Sequence, residues 1–141
     1  MKGKKIYQPI EWRTVCLAYE LLHAKGYIAF PSTLQARRKV EALTENINRS
    51  YFGVEIYSTA EEKLVAILYF LIKDHPFIDG NKRTACLVFE VGCDMNGLEP
   101  KYEGFTLDEL AVFTEQVNTD DHQHFIGDIA RLLFAYTNSV A

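Results

Sequence analysis

The sequence predicts an all-α fold, a bundle of about six helices with one short flap, in a single domain spanning residues 1–141. Hydrophobic residues recur at helical spacing along most of the chain. Three of the predicted helices are preceded by a hydroxyl residue with a carboxylate or amide three positions later, a pattern typical of a helix start. A domain of this length buries about 68–70% of the surface that its unfolded chain exposes, enough for one compact core.

The N-terminal part of the chain predicts two helices and a flap. The first helix runs from Pro9 to about Lys25 and stops at Gly26. The second begins at Ser32, a predicted N-cap, and runs to about Asn48. The next stretch, residues 50–57, is rich in aromatic and β-branched residues around one glycine, which predicts a short strand pair or an extended flap.

The middle of the chain predicts two buried helices. One runs from Thr59 to about Asp74 and the other from about Asn81 to Met95. Both are apolar on nearly every side, a pattern typical of helices covered by others. Asn96 and Gly97 provide a left-handed stop for the second.

Two amphipathic helices are predicted at the end of the chain, over about residues 106–118 and 123–137. Thr106 and Glu109 form a predicted capping box at the start of the first. The acidic and histidine residues around position 121 resemble a metal cluster, but they lack cysteine partners or two histidines at helical spacing. A capped helix start therefore explains them better.

Composition excludes several classes of function. The net charge of −4 and a pI near 5.5 argue against direct binding of nucleic acid, which usually depends on a basic surface. The longest apolar run, residues 64–72, is far shorter than the roughly 20 residues of a membrane span. Three cysteines cannot all pair, and nothing suggests secretion. We therefore expect a cytoplasmic protein with no membrane partner.

Polar residues concentrate between the two buried helices. Pro76 disfavours helical geometry at His75, so the first buried helix should end there. The next should begin near Gly80 or Asn81, and its free N–H groups then form an anion site. Gly80 lets a phosphate approach the backbone, and the amide of Asn81 can donate to the same oxygens.

The same segment supplies charged groups suited to phosphate chemistry. Lys82 and Arg83 provide positive charge for a nucleotide, and Asp79 can ligate Mg²⁺ together with phosphate oxygens. His75 can accept a proton from an attacking hydroxyl. Phe77 is interpreted as a buried anchor for the loop. The residues therefore indicate in-line transfer of a phosphorus group to a protein hydroxyl.

The segment from His75 to Arg83 resembles the signature of the Fic/Doc superfamily, H-x-F-x-[DE]-[GA]-N-[GK]-R, at every defining position. Family members that transfer AMP tend to have Gly in place of Lys82 and a second Arg three residues after Arg83. The smaller Doc toxins have Asn-Lys-Arg-Thr-Ala and lack that second Arg. This chain has the Doc form, with Cys86 where the second Arg would be, although Pro76 and Gly80 are similar to the AMP-transferring members.

The resemblance implies a specific reaction. In Doc the lysine accompanies a reversed nucleotide, so that the γ-phosphate of ATP meets a Ser or Thr hydroxyl of a protein, and translation elongation factor Tu is the expected target. His75, Asp79 and Arg83 are then the catalytic residues, with His75 as the base and Asp79 as the Mg²⁺ ligand. The nucleotide site comprises Phe77, Gly80, Asn81, Lys82 and Arg83, of which the last three hold the phosphates. Two alternatives stay open: an AMP-transferase with the same residues, and a nucleotide-binding module without turnover.

The resemblance also bears on partners. Self-inhibited members carry an inhibitory helix with the pattern [ST]-x-x-x-E-[GN], but the two candidate segments here have Glu41 and Glu99 at the hydroxyl position. Control by a small antitoxin protein is therefore expected. The flap of residues 50–57 is similar in position to the segment on which family members align a target as an added strand.

Overall fold

The computed structural model describes residues 6–138 and confirms the all-α prediction. The described residues form six helices and one two-stranded sheet, in the order α1 (Trp12–Ala24), α2 (Leu34–Asn48), β1 (Ser50–Tyr51), β2 (Val54–Glu55), α3 (Ala60–Lys73), α4 (Asn81–Met95), α5 (Leu107–Gln116) and α6 (His122–Asn138). These helices coincide with the predicted segments apart from small shifts at their ends. None of them is long and apolar enough to cross a membrane.

Helices α3 and α4 form the centre of the bundle. Helix α3 packs against α2, α4, α5 and α6, whereas α4 packs against α1, α3 and α5. Leu64, Ile67 and Leu71 of α3 are fully buried, as are Val88 and Phe89 of α4. Their burial confirms that the two helices with apolar residues on nearly every side are the ones covered by the others.

The N-caps agree with the sequence in part. At α5 the capping box is complete, because Thr106 and Glu109 each accept a hydrogen bond from the other's backbone N–H. At α3 the Thr59 side chain accepts from the backbone of Glu62, but the Glu62 carboxylate pairs with hydroxyl groups instead of completing the box. At α2 the prediction of Ser32 was wrong by one residue. Thr33 has the extended backbone immediately before the first helical residue, so its hydroxyl caps the helix.

The predicted flap is a two-stranded antiparallel hairpin in which Tyr51 pairs with Val54. Its two turn residues, Phe52 and Gly53, both have positive φ, at 52° and 78°. Two such residues give the turn whose twist matches a tight hairpin, although a phenylalanine is rarely found there. The Phe52 side chain is fully exposed at the tip.

A buried lysine holds the base of the flap. Lys63, on the first turn of α3, is only 4% exposed, and its Nζ donates a hydrogen bond of 2.5 Å to the backbone carbonyl of Tyr57. The carboxylate of Glu55, in β2, lies 3.4 Å from the same nitrogen. The ammonium group therefore ties the end of the flap to the central helix.

Replacing this lysine tests whether the contact stabilises the fold. Lys63→Met removes the donor and leaves the carbonyl of Tyr57 without its partner, so we expect a loss of about 1–3 kcal/mol in the free energy of unfolding. Urea denaturation measures it, with Lys39→Met, an exposed lysine on α2, as the matched control. Equal stability of the two variants would show that the buried contact contributes nothing net.

Candidate active site

The loop of residues 74–80 joins the two central helices and turns sharply at both ends. His75 has φ 46°, in the left-handed region that residues other than glycine rarely adopt. Gly80, with φ 77°, is the N-cap of α4 and offers no side-chain oxygen to the N–H groups of the first turn. The first N–H groups of α4 are therefore left without a side-chain cap, and their use by an anion stays a prediction. Both helix boundaries lie where Pro76 and Gly80 placed them.

Phe77 anchors the loop to the core. Its ring is 3% exposed and stacks on Tyr19 of α1, with the ring centroids 4.1 Å apart and an interplanar angle of 15°. The hydroxyl of Tyr19 donates a 2.7 Å hydrogen bond to the carbonyl of Phe30, and this bond holds the Tyr19 ring in place. The buried ring agrees with the interpretation of Phe77 as an anchor. The family resemblance also assigns Phe77 to the nucleotide site, but its ring does not line the cavity described below, so any contribution to that site is through the position of the loop.

Asn81 braces the same loop from the start of α4. Its Oδ1 accepts a 3.0 Å hydrogen bond from the backbone N–H of Phe77, and its Nδ2 donates a 2.9 Å bond to the carbonyl of Phe77. The same Nδ2 lies 3.5 Å from Nδ1 of His75. The sequence predicted that this amide contacts phosphate. In the structure its side chain is buried and engaged by the loop, which gives it a structural role in addition.

Gly80 is required by packing as well as by its backbone angle. A Cβ at this position would lie 2.4 Å from Cδ1 of Ile28, a fully buried residue. The missing side chain therefore faces the protein interior. The sequence predicts that this glycine lets a phosphate approach the backbone, and the packing against Ile28 is a second, independent reason for a glycine here.

The charged motif residues line one cavity of about 420 Å³ at the start of α4. Its walls are formed by Tyr27, His75, Ile78, Asp79, Gly80, Asn81, Lys82, Arg83 and Glu115. This volume is within the range of about 300–1,000 Å³ that is typical of small-molecule sites. A more open trough of about 590 Å³ lies between Trp12 and the end of α2, but no motif residue lines it. The fold thus brings the proposed base, metal ligand and cations together around one space.

Glu115 is a member of this cavity that sequence reasoning missed. Its Oε2 lies 2.9 Å from Nζ of Lys82, and this hydrogen bond is the main cause that lowers the pKa of the Glu115 carboxyl. Coulombic interactions with Lys82, His75 and Lys73 lower the same pKa further. In the structure the carboxylate of Glu115 is therefore paired with Lys82, one of the two cations that are proposed to bind phosphate.

The position of Glu115 follows from how α5 is attached. Lys73, at the end of α3, donates from its Nζ to the backbone carbonyls of Glu115 and Val117. These carbonyls belong to the C-terminal end of α5, where a cation is favourable. The lysine thus fixes the end of α5 beside the end of α3, and Glu115 beside the loop. No local sequence signal marks this contact, because Glu115 follows Lys82 by 33 residues.

Asp79 fits the role of a Mg²⁺ ligand. It lines the cavity, and no side chain or backbone group of residues 6–134 donates a hydrogen bond to its carboxylate. No cluster of three or more histidine, cysteine or acidic residues suited to a metal is found in this part of the chain. A single carboxylate together with phosphate oxygens and water is the usual arrangement for Mg²⁺, so these residues fit an ion that arrives with a nucleotide.

Cys86 occupies the position of the second arginine of the AMP-transferring members. It is 7% exposed, and burial, with the nearby carboxylates of Asp108 and Glu90, raises the pKa of its thiol to about 12. A thiol carries no positive charge in either protonation state, so Cys86 supplies no second cation beside Arg83. Cys86 and Cys93 both lie in the core.

Comparison with known proteins agrees with the motif. A family model described as the Fic/DOC family matches residues 4–92, which include the whole loop and the start of α4. The chain is 30% identical over 98 residues to the protein named Toxin Doc from Mycolicibacterium smegmatis, covering 68% of this chain and 75% of that relative. The chain belongs to the Fic/DOC family. No solved structure gives a significant match.

The Fic/DOC match ends at residue 92, inside α4. Helices α5 and α6, and with them Glu115, lie beyond it. The contact between Glu115 and Lys82 is therefore a feature of this chain that the family match does not describe. It joins a residue outside the matched region to one inside the signature.

Substitution of Gly80 separates packing from backbone strain. Gly80→Ala should cost about 1–2 kcal/mol for the left-handed backbone and more for the clash with Ile28. Gly104→Ala is the matched control, because Gly104 has a similar φ of 82° with open space where a Cβ would be. We expect the first variant to unfold at lower urea concentration than the second. Equal losses would mean that Ile28 gives way without cost.

Removing the charge of Glu115 tests its competition with a phosphate. Glu115→Gln frees Lys82 and removes a negative charge from the cavity, so we expect ATP with Mg²⁺ to bind about two- to fivefold more tightly. Isothermal titration calorimetry measures the affinity, with Glu109→Gln, on the same helix but outside the cavity, as the control. Weaker binding to the first variant would instead make Glu115 a group that positions Lys82 or the metal.

Proposed function

We propose that this protein is a Doc-like toxin that transfers the γ-phosphate of ATP to a Ser or Thr hydroxyl of a protein and thereby inhibits translation. The observation that carries the proposal is the single cavity in which His75, Asp79, Lys82 and Arg83 meet at the N-terminus of α4. A base, a free carboxylate and two cations beside exposed backbone N–H groups are the parts that phosphoryl transfer needs.

Each residue of the cavity has a proposed role in binding the nucleotide or in catalysis. Arg83 and the first N–H groups of α4 bind phosphate oxygens, and Lys82 joins them when Glu115 releases it. Asp79 would hold Mg²⁺, whose charge neutralises the phosphates when the nucleotide is bound. The buried contacts of Phe77 and Asn81 keep the loop rigid during the reaction. His75, exposed at the cavity, accepts the proton of the attacking hydroxyl.

The alternative reaction is transfer of AMP from the α-phosphate. Two residues of the signature, Pro76 and Gly80, are similar to the AMP-transferring members. The contact between Gly80 and Ile28 explains the glycine by packing and so weakens its value as evidence for that reaction. The buried thiol of Cys86 supports transfer of the γ-phosphate, as proposed for a Doc-like toxin, because it offers no second cation for the phosphates. A binding module without turnover would have no use for His75 at the cavity.

The proposal includes a protein target, an antitoxin and a location. The exposed hairpin edge formed by β1 and β2 suits a target segment that adds as a strand. Translation elongation factor Tu is the proposed target, and a small antitoxin is proposed to control the activity in trans. A protein that uses ATP and acts on a translation factor would work in the cytoplasm, and that location is part of the proposal.

The site of labelling decides between the reactions. The purified protein is incubated with Mg²⁺, a bacterial lysate and ATP labelled at either the α- or the γ-phosphate. We expect a labelled protein band, of the size of elongation factor Tu, from the γ label alone. Label from the α-phosphate would establish the AMP-transferase instead, and no label from either would favour the binding module.

Loss of the proposed base should abolish the transfer without preventing binding. His75→Ala should lower the rate of labelling by about 10²–10⁴-fold, because a general base acts chiefly in the transition state. The affinity for ATP, measured by calorimetry, should stay close to that of the wild type. His124→Ala, an exposed histidine on α6, is the matched control. Full activity of His75→Ala would contradict the mechanism.

A further inference from the structure

A second cavity lies between the flap and the ends of α2 and α3. We call it the flap pocket, and its walls are Leu43, Asn46, Ile47, Ile56, Tyr57, Phe70 and Asp74. It shares no wall residue with the nucleotide cavity. Its volume of about 160 Å³ is roughly that of five water molecules in the liquid, which is enough for one long side chain.

Most of the flap pocket is apolar and rigid. Ile47 and Tyr57 are buried, and the ring of Tyr57 packs edge-on against Phe70 with the centroids 6.4 Å apart. Tyr57 is also the residue whose carbonyl is held by Lys63. The wall beneath the flap is therefore fixed to α3 in the absence of any partner.

One end of the flap pocket carries a carboxylate without a fixed partner. Among residues 6–134, whose side chains the structure describes, no donor hydrogen bonds to the carboxylate of Asp74 and no lysine or arginine forms an ion pair with it. Burial raises the pKa of this carboxyl, while the neighbouring imidazoles of His122 and His75 lower it. His122 is itself engaged, since its Nδ1 hydrogen bonds to the hydroxyl of Tyr69. Asp74 is exposed to solvent at the rim of the pocket, and a carboxylate there without a protein partner can pair with a cation from outside.

The location connects the flap pocket to the reaction. Asp74 directly precedes His75 in the chain, and Ile56 directly follows β2. Residues of the pocket are thus adjacent in sequence to the hairpin on one side and to the proposed base on the other. A segment that pairs with the flap and presents a hydroxyl to His75 passes over it, and the alternation of side chains along a strand directs every second one to the same face.

We propose that the flap pocket binds a lysine or arginine side chain of the protein target, close in sequence to the modified hydroxyl. The aliphatic stem packs on Ile56 and Phe70, and the cation pairs with Asp74. This assignment rests on the proposed function for the course of the target segment, but binding of a basic side chain does not itself require transfer. The net charge of −4 also favours a basic partner segment.

Binding is tested directly, without catalysis. Protein with labelled isoleucine methyl groups is titrated with N-acetyl-arginine methylamide or N-acetyl-norleucine methylamide and followed by NMR. We expect saturable shifts of the Ile56 and Ile47 signals with the arginine probe. We expect the wild-type protein to bind the norleucine probe about fivefold more weakly than the arginine probe. We expect Asp74→Asn to bind the arginine probe about fivefold more weakly than the wild type does. Ile56→Ala removes part of the apolar wall without altering any charge, and it should weaken binding of the arginine probe. Equal responses to both probes, or none, would overturn the assignment.

A second arm separates this inference from the proposed reaction. Modified sites in the labelled lysate are mapped by mass spectrometry, and the sequence around each labelled Ser or Thr is read. A basic residue within a few positions of the label, with weaker labelling by Asp74→Asn, supports the flap pocket. Labelled sites without a nearby basic residue contradict it even if transfer occurs. Arginine binding in a protein that labels nothing supports the pocket and counts against the proposed reaction.

Discussion

The candidate site depends on one constraint: a polar loop must join two helices that are buried along nearly their whole length. Backbone groups near the core need hydrogen-bond partners there, and Phe77 finds both of its partners in the side chain of Asn81. The ring of Phe77 then stacks on Tyr19, so that the loop is held from its buried side. With that side fixed, His75 and Asp79 are left on the solvent side, beside the cations of α4. The chemistry of the cavity is therefore a consequence of how the loop satisfies its backbone.

Much of this could be predicted from the sequence because the signals are local. Pro76 marks the end of α3, the pattern from Thr106 to Glu109 gives the start of α5, and Gly97, with φ 64°, ends α4. The signature residues are also contiguous, so a single loop brings them together without any long-range contact. Local signals are less exact where two hydroxyl residues are adjacent. Before α2 the sequence predicts Ser32 as the N-cap, but Thr33 supplies the cap.

The rest could not be predicted because it depends on contacts between distant segments. An amphipathic pattern shows which face of α5 is buried, but it does not show what the exposed end of that helix will meet. Lys73 decides this by binding the last carbonyls of α5, and Glu115 reaches Lys82 as a result. The close approach of Ile28 to Gly80 is equally invisible in the sequence. In both cases a residue of the signature is constrained by a partner far along the chain.

The pair of Glu115 and Lys82 shapes how the cavity can receive a phosphate. Its side chains are 36% and 42% exposed, so water screens the pair and its separation costs little. Arg83 has no carboxylate partner in the described part of the chain, and its guanidinium lies 5.4 Å from the centre of the Tyr27 ring. In the proposed function, a polyphosphate would meet Arg83 and the N-terminus of α4 without having to displace a carboxylate. Lys82 would first have to exchange Glu115 for a phosphate oxygen, which carries at least as much negative charge. The two cations of the proposed phosphate site therefore differ in what binding requires of them, because only Lys82 has a protein carboxylate to leave.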